Sequence, residues 1–334
     1  MAYRRTTFLR AALESVLSQT IPRESVEVLV TKDFASPAID RFLAENGVHA
    51  LLDDDPHIGP WMWRAISATR APLVAFLDDD DLYTPDRLAH VLKVFREHPA
   101  LGYYRNRVAP VDAGGASLPA KFWGPHEVDS ELDRTGSLYI APEAKVAALP
   151  TVRQTHPLFN SSSIVIRREI LSGELVDHFR QVQNPDPFLF LAGVVSPYGL
   201  YLDRERLTKY RRHPENITTS VWASEHGFRD SQALADLAAR LAPPGYALWF
   251  RERSVNVHKY LWTKRIVEQV KNGGPRRRPA QLAVEYLRFL GQHPGLLDWD
   301  GSTWAAVGYA AGYLVAPSLT RRVRGTSSHL RTYE

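Results

Sequence analysis

The run Leu73-Val74-Ala75-Phe76-Leu77-Asp78-Asp79-Asp80-Asp81 decides the fold. Five apolar residues without polar alternation read as a strand buried on both faces, as in a parallel α/β sheet. Four carboxylates at its C-terminal end repel one another by about 1 kcal/mol per close pair even in high dielectric, so the run calls for a cation. Oxygen ligands on one short loop suit Mg²⁺ or Mn²⁺, which keep waters and accept substrate phosphates. The other reading is a solvated acidic loop leading into the following helix.

Downstream, Leu88, Val91, Leu92 and Phe95 recur at helical spacing behind Thr84 as N-cap and Pro85 at the first helical position. Upstream, the pattern predicts a helix over 61–69, a helix over 38–46 that stops at Gly47, and a buried strand over 26–30 that delivers Asp33 at its end. A further helix over 7–19 has Thr6 or Thr7 to cap it. Alternating strands and helices predict an α/β fold with a parallel sheet, in which ligands bind beyond the carboxyl ends of the strands. Asp33 and the four aspartates then share one edge. The run Asp53-Asp54-Asp55 follows a weaker strand signal and reads as a solvated loop. Between residues 102 and 150 turn residues are dense and periodicity is poor, which predicts a long irregular excursion. Strands are expected over 162–166 and 199–202, with a helix from about Arg168. Beyond Asn216 the pattern turns helical, so residues 1–216 are expected to form the catalytic domain and 217–334 a helical C-terminal region.

The 334 residues include no cysteine, which excludes disulfides and thiolate chemistry. The net charge of +4 is unevenly placed: from Arg251 to Glu334 there are 14 Lys/Arg against 6 Asp/Glu, and before that 27 against 31. The apolar stretch 304–317 is shorter than the roughly 20 residues that span a bilayer. With this basic tail, Tyr309, Leu314 and Val315 beside Arg321, Arg322 and Arg324 predict peripheral contact with anionic lipid. The alternative is a helix packed on the catalytic domain. No apolar h-region opens the chain, so a cytoplasmic location is expected, free or peripheral on the inner face of the membrane. The acidic front and the absence of a recognition motif argue against a nucleic-acid partner.

Residues 2–20, then Glu27-Val28-Leu29-Val30 and Asp33, resemble the opening of family 2 glycosyltransferases of the GT-A fold. Leu77-Asp78-Asp79-Asp80-Asp81 with Pro85-Asp86-Arg87-Leu88 resembles their DxD motif and the helix after it. Asn160-Ser161-Ser162-Ser163, Arg167-Arg168, Asp186 and Tyr210-Arg211-Arg212-His213-Pro214-Glu215-Asn216 follow in the family's order and spacing. The resemblance covers residues 2–218 and implies a Rossmann-like, mostly parallel sheet. It also implies inverting transfer of a sugar from a nucleotide sugar, expected to be a UDP-sugar, to a carbohydrate or lipid-linked acceptor in polysaccharide or glycoconjugate synthesis.

Position by position, the resemblance implies that Asp33 reads the nucleobase, that Arg64 lies near the donor, and that Asp78 and Asp79 bind the nucleotide sugar, Asp78 at the ribose. Asp80 and His213 are implied for Mn²⁺ or Mg²⁺, and Asp186 as catalytic base. Two features depart from the family. Pro185 stands where an acidic residue usually precedes the base, and the buried strand that should come before Ala2 is missing, so a start codon placed too far downstream is expected. The runner-up function is a catalytically silent GT-A module that binds carbohydrate or a partner.

Overall fold

The structure, a computed structural model, describes residues 1–2, 5–55, 57–119, 131–216, 221–272, 275, 277–292 and 302–316. The chain divides into two compact units, Met1–Pro214 with Leu237–Tyr246, and Glu215–Asp236 with Ala247–Glu334.

The first unit begins with α1 (Leu9–Leu17), β1 (Leu29–Lys32), α2 (Pro37–Glu45), β2 (His49–Leu52), α3 (Ile58–Ala68), β3 (Leu73–Ala75), β4 (Leu82–Tyr83) and α4 (Arg87–Glu97). It continues through β5 (Leu101–Val111), α5 (Glu131–Thr135), β6 (Leu138–Ile140), α6 (Lys145–Arg153), β7 (Ile164–Arg167), α7 (Glu174–Phe179), α8 (Asp186–Val195) and β8 (Gly199–Arg211). β1 and β2 form a parallel pair, and a six-stranded sheet has the order β3-β7-β5-β8-β4, with β6 also on β8.

This is the expected α/β class, but the larger sheet is mixed rather than mostly parallel. β5 and β8 run parallel, whereas β3–β7, β5–β7, β4–β8 and β6–β8 are antiparallel. The chain reaches β7 from β5 without a βαβ crossover, so β7 enters the sheet reversed. The expected excursion over 102–150 in fact begins with β5, an 11-residue strand paired on both sides. Its Arg105, Asn106 and Arg107 are buried, and such residues in a core strand hide its apolar pattern. β8 likewise runs 13 residues, well past the short strand expected at its start.

Capping also differs from expectation. Thr84 does not cap α4: its hydroxyl donates to Asp86 and to the Leu207 carbonyl, while the Leu88 amide is taken by the Gln19 side chain at 2.8 Å. Neither Thr6 nor Thr7 caps α1, whose preceding residue is Phe8. Between α3 and the end of α7, the Gly59 amide donates to the Val182 carbonyl at 2.8 Å, and a Cβ there would fall 1.9 Å from the Phe179 carbonyl oxygen. Only glycine permits that approach. α8 is apolar all round and buried from Pro187 to Val194, as a helix inside the core must be.

The second unit is built from α9 (Val221–Leu241) and α10 (Pro244–Lys271), which both cross the division, with α11 (Arg277–Gln292) and α12 (Ser302–Val315). Ile266, Leu282, Tyr286, Leu290, Ala306 and Ala310 form its core. Among the described residues no helix is long and apolar enough to cross a membrane.

Candidate active site

The four aspartates lie on the loop between β3 and β4, with Asp79, Asp80 and Asp81 buried. Their desolvation is offset by polar partners from three other segments. From the stretch before β7, Ser161 Oγ donates to Asp78 at 3.0 Å, the Asp78 amide donates to Ser162 Oγ at 3.0 Å, and Asn160 Nδ2 donates to Asp81 at 2.8 Å. Asn160 adopts φ 64°, a left-handed conformation that asparagine tolerates. From the end of β8, the Arg211 amide donates to Asp81 at 2.9 Å and its Nε to the Asp80 carbonyl at 2.7 Å. His213, two residues on, brings Nε2 to 3.0 Å from Asp80 Oδ2. Phe8, just before α1, packs against that imidazole at 4.8 Å between ring centres, tilted by 45°, and its ring carries the Arg211 guanidinium at 4.7 Å. Arg5 supplies the main cation, pairing with both Asp79 and Asp80.

The electrostatics follow from this packing. Burial pushes the Asp78 carboxyl up to about 6, with Asp80 adding to the shift and the Met1 ammonium and Ser161 opposing it. Asp81 is pushed well above the usual range by burial and then by Asp80 and Asp78, and Asp79 is raised by burial against the pull of Arg5. Burial works against the charge on Arg5, but the hydrogen bonds and charges of Asp79 and Asp80 outweigh it and hold the guanidinium protonated. The cluster thus has a standing demand for positive charge.

Of the residues singled out in the sequence, the structure brings together Asp78, Asp79, Asp80 and His213. Asp33 directly follows β1. Arg64 is on α3 and pairs with Asp53 at 3.3 Å, which ties it to the loop after β2; Asp53 is therefore an ion-pair partner rather than a freely solvated loop residue. Asp186 is the first residue of α8, with Pro185 before it in the N-cap position and Pro187 after it. Its charge acts on Tyr103 of β5, whose hydroxyl donates to the Pro157 carbonyl at 2.9 Å; burial pushes that phenol up, Arg105 pulls it down and Asp186 adds to the rise. The segment from Pro157 to Ser163 therefore connects the surroundings of Asp186 to the aspartate cluster.

Sequence reasoning assigned no role to Arg5, Asn160, Ser161, Ser162 or Arg211. A signal was available: a buried acidic run needs donors, and these residues lie inside the motifs already quoted. Among the described residues no group of three or more His, Asp or Glu side chains is arranged to hold a metal. The Asp80–His213 pair offers one carboxylate and one imidazole, a donor set that fits a divalent ion completed by phosphates and water.

Residues 1–140 match the family described as Glycosyl transferase family 2. These residues are a family 2 glycosyltransferase domain, and the fold is GT-A. The matched residues take in the aspartate loop, Asp33 and Arg64, while His213 and Asp186 lie beyond them. Among solved structures, the glycosyltransferase resembles S. aureus TarS 1-349 in complex with UDP-GlcNAc, at 10% identity and TM-score 0.59, over 97% of this chain and 90% of that one. It also resembles the mannosyltransferase PcManGT from Pyrobaculum calidifontis in complex with GDP-Man and Mn²⁺, at 12% identity and TM-score 0.52, over 99% of this chain and 83% of that one. No curated protein sequence matches.

Proposed function

We propose that this chain is a metal-dependent, inverting glycosyltransferase that moves a sugar from a UDP-sugar to the hydroxyl of a carbohydrate or lipid-linked acceptor. The observation that carries the reading is the approach of His213 Nε2 to Asp80 Oδ2, 3.0 Å apart, within a buried acidic cluster at the end of β3. Asp80 and His213 hold Mn²⁺ or Mg²⁺, Asp78 and Asp79 border the donor, Asp33 takes the nucleobase and Arg64 stands beside the donor. When bound, the ion supplies charge neutralisation of the leaving diphosphate. Asp186, on a different element from the acidic cluster, accepts the proton of the acceptor hydroxyl as that oxygen attacks the anomeric carbon from the face opposite the leaving group. No covalent sugar–enzyme species is required. Residues 1–216 make up the catalytic domain and 217–334 a helical region that contacts the membrane peripherally from the cytoplasmic side.

The test is UDP release from a panel of UDP-sugars, with acceptor, in Mn²⁺ and in chelator, for the wild type and Asp80→Ala. Metal-dependent release that is lost in Asp80→Ala is the expected result. Full turnover in chelator rejects the metal, and absence of turnover with every nucleotide sugar leaves the silent binding module.

A further inference from the structure

α4 opens with a cation in an unfavourable position. Arg87 is its first residue and is fully buried, although burial disfavours a charge and the positive end of the helix dipole disfavours a cation. What the side chain bonds to accounts for its place. Its Nε donates to Asn106 Oδ1 on β5 at 3.1 Å, and its guanidinium lies 3.9 Å from the centre of the Tyr83 ring on β4.

Both contacts lead to Asp78. Along the first path, Asn106 Nδ2 donates to Thr208 Oγ1 on β8 at 3.0 Å, and the Thr208 hydroxyl donates to the Ser162 carbonyl at 3.2 Å. Ser161 and Ser162 share one 3-10 turn, Ser161–Ser163, so holding that carbonyl places the two hydroxyls that take the Asp78 amide and bond the Asp78 carboxylate. None of Arg87, Asn106, Thr208 and Ser162 is exposed to solvent. The β5–β8 register shifts on both sides of Arg107, an irregularity of the kind that re-aims side chains, and Asn106 Nδ2 also satisfies the Arg107 carbonyl there at 2.7 Å. Along the second path, the Tyr83 hydroxyl donates to the Phe76 carbonyl, two residues ahead of Asp78. That phenol is pushed up by burial, drawn down by Arg87 and raised by Asp78 and then Asp81, so it feels the cation and the acidic loop together. The Leu77 carbonyl in between takes the Met1 ammonium at 2.8 Å.

We infer that Arg87, Asn106 and Thr208 are positioning residues for the donor site, a buried relay that starts from the Arg87 cation and fixes Asp78 through Ser161 and Ser162. The role rests on the reading of Asp78 as a donor-binding residue. From Arg87 to Ser162 every donor points the same way, so each hydrogen bond polarises the next.

Thr208→Val keeps the shape of the side chain and removes the hydroxyl, whereas Thr208→Ser keeps the hydroxyl and loses a methyl group from the core. Two quantities are measured on each full-length variant: deuterium exchange at the Asp78 amide without ligand, and the Kd for UDP in Mn²⁺ by calorimetry. The Val variant should exchange that amide about tenfold faster and bind UDP about tenfold more weakly, the equivalent of one lost hydrogen bond. Asn106→Asp, which keeps the acceptor for Arg87 and loses the donor to Thr208, should reproduce this result. The Ser variant should restore both quantities, although the lost methyl group lowers its melting temperature. A merely structural role would give losses that follow the melting temperature, so an Asp78 amide that exchanges no faster in the Val variant than in the Ser variant overturns the relay. Unaltered UDP affinity in the Val variant overturns it as well. Wild type that binds no UDP is instead a failure of the donor reading, and the ligand-free exchange at Asp78 then decides the relay by itself.

Discussion

The guanidinium of Arg5 grips the carboxylate of Asp79 through two hydrogen bonds, Nε to Oδ2 and Nη2 to Oδ1, both at 2.9 Å. The same Nη2 also donates to Asp80, and Nη1 lies 3.5 Å from His213 Nε2. A side chain from the start of the chain therefore occupies the charge position between the two residues assigned to the metal. A divalent ion held by Asp80 and His213, as proposed, would have to compete with this guanidinium.

Replacing Arg5 with Gln keeps a donor and removes the charge. Mn²⁺ alone, titrated by calorimetry, should bind Arg5→Gln more tightly than wild type. The melting temperature in chelator should fall, since hydrogen bonds to charged groups contribute about 1.5–3 kcal/mol. Unchanged or weaker Mn²⁺ affinity would show that Arg5 does not compete with the metal.

Asp186 lies in the first turn of α8, where its charge favours the helix dipole by about 0.3–1 kcal/mol. Asp186→Asn should lower kcat by roughly 10²- to 10⁴-fold, the usual contribution of a general base, with the KM for donor and the melting temperature nearly unchanged. Transfer near the wild-type rate would move the base to another carboxylate.

His156, at φ 51°, sits in the stretch leading to Asn160, and burial followed by the charge of Arg105 pulls its imidazole below its ordinary 6.5. A folded value below the unfolded one gives stability that is present above pH 6.5 and lost as pH falls toward the folded value, because the unfolded chain takes up the proton first. Asn tolerates the same backbone conformation, so His156→Asn is the matched control. The melting temperatures of the two proteins should run parallel above pH 6.5, with wild type dropping faster below it. A constant offset at every pH would contradict this.

On α12, Ala306, Ala310 and Tyr313 are buried, whereas Leu314 and Val315 are 42% and 82% exposed. Tyr309, expected to face lipid, has a buried hydroxyl, so the exposed apolar end is narrower than expected. Arg321, Arg322 and Arg324 lie outside the described residues. Leu314→Ser with Val315→Ser should weaken sedimentation with anionic phosphatidylglycerol vesicles without altering the fold. Equal binding by the variant would leave α12 as a packing element.

What could be read from the sequence was whatever advertises itself locally. β3 and its aspartates are an uninterrupted apolar run ending in charge, and the helix that carries Arg64 was legible from its spacing. β5 was hidden because Arg105, Asn106 and Arg107 are satisfied by partners distant in sequence, such as the Phe159 carbonyl and Asp133. The cap of α4 was misread for the same reason, since Gln19 is far away along the chain. The partners of the aspartates were quoted as motif residues, but only the fold shows which of them reach Asp78 and which reach Asp81.

The contact between the Met1 ammonium and the Leu77 carbonyl bears on how the protein is handled. A peptide joined ahead of Met1 would remove the ammonium that donates to the Leu77 carbonyl and favours the charged form of Asp78. A neutral amide would stand in its place. Differences in yield or activity between preparations carrying different leading peptides are therefore to be traced to this junction before any of them is ascribed to the catalytic residues.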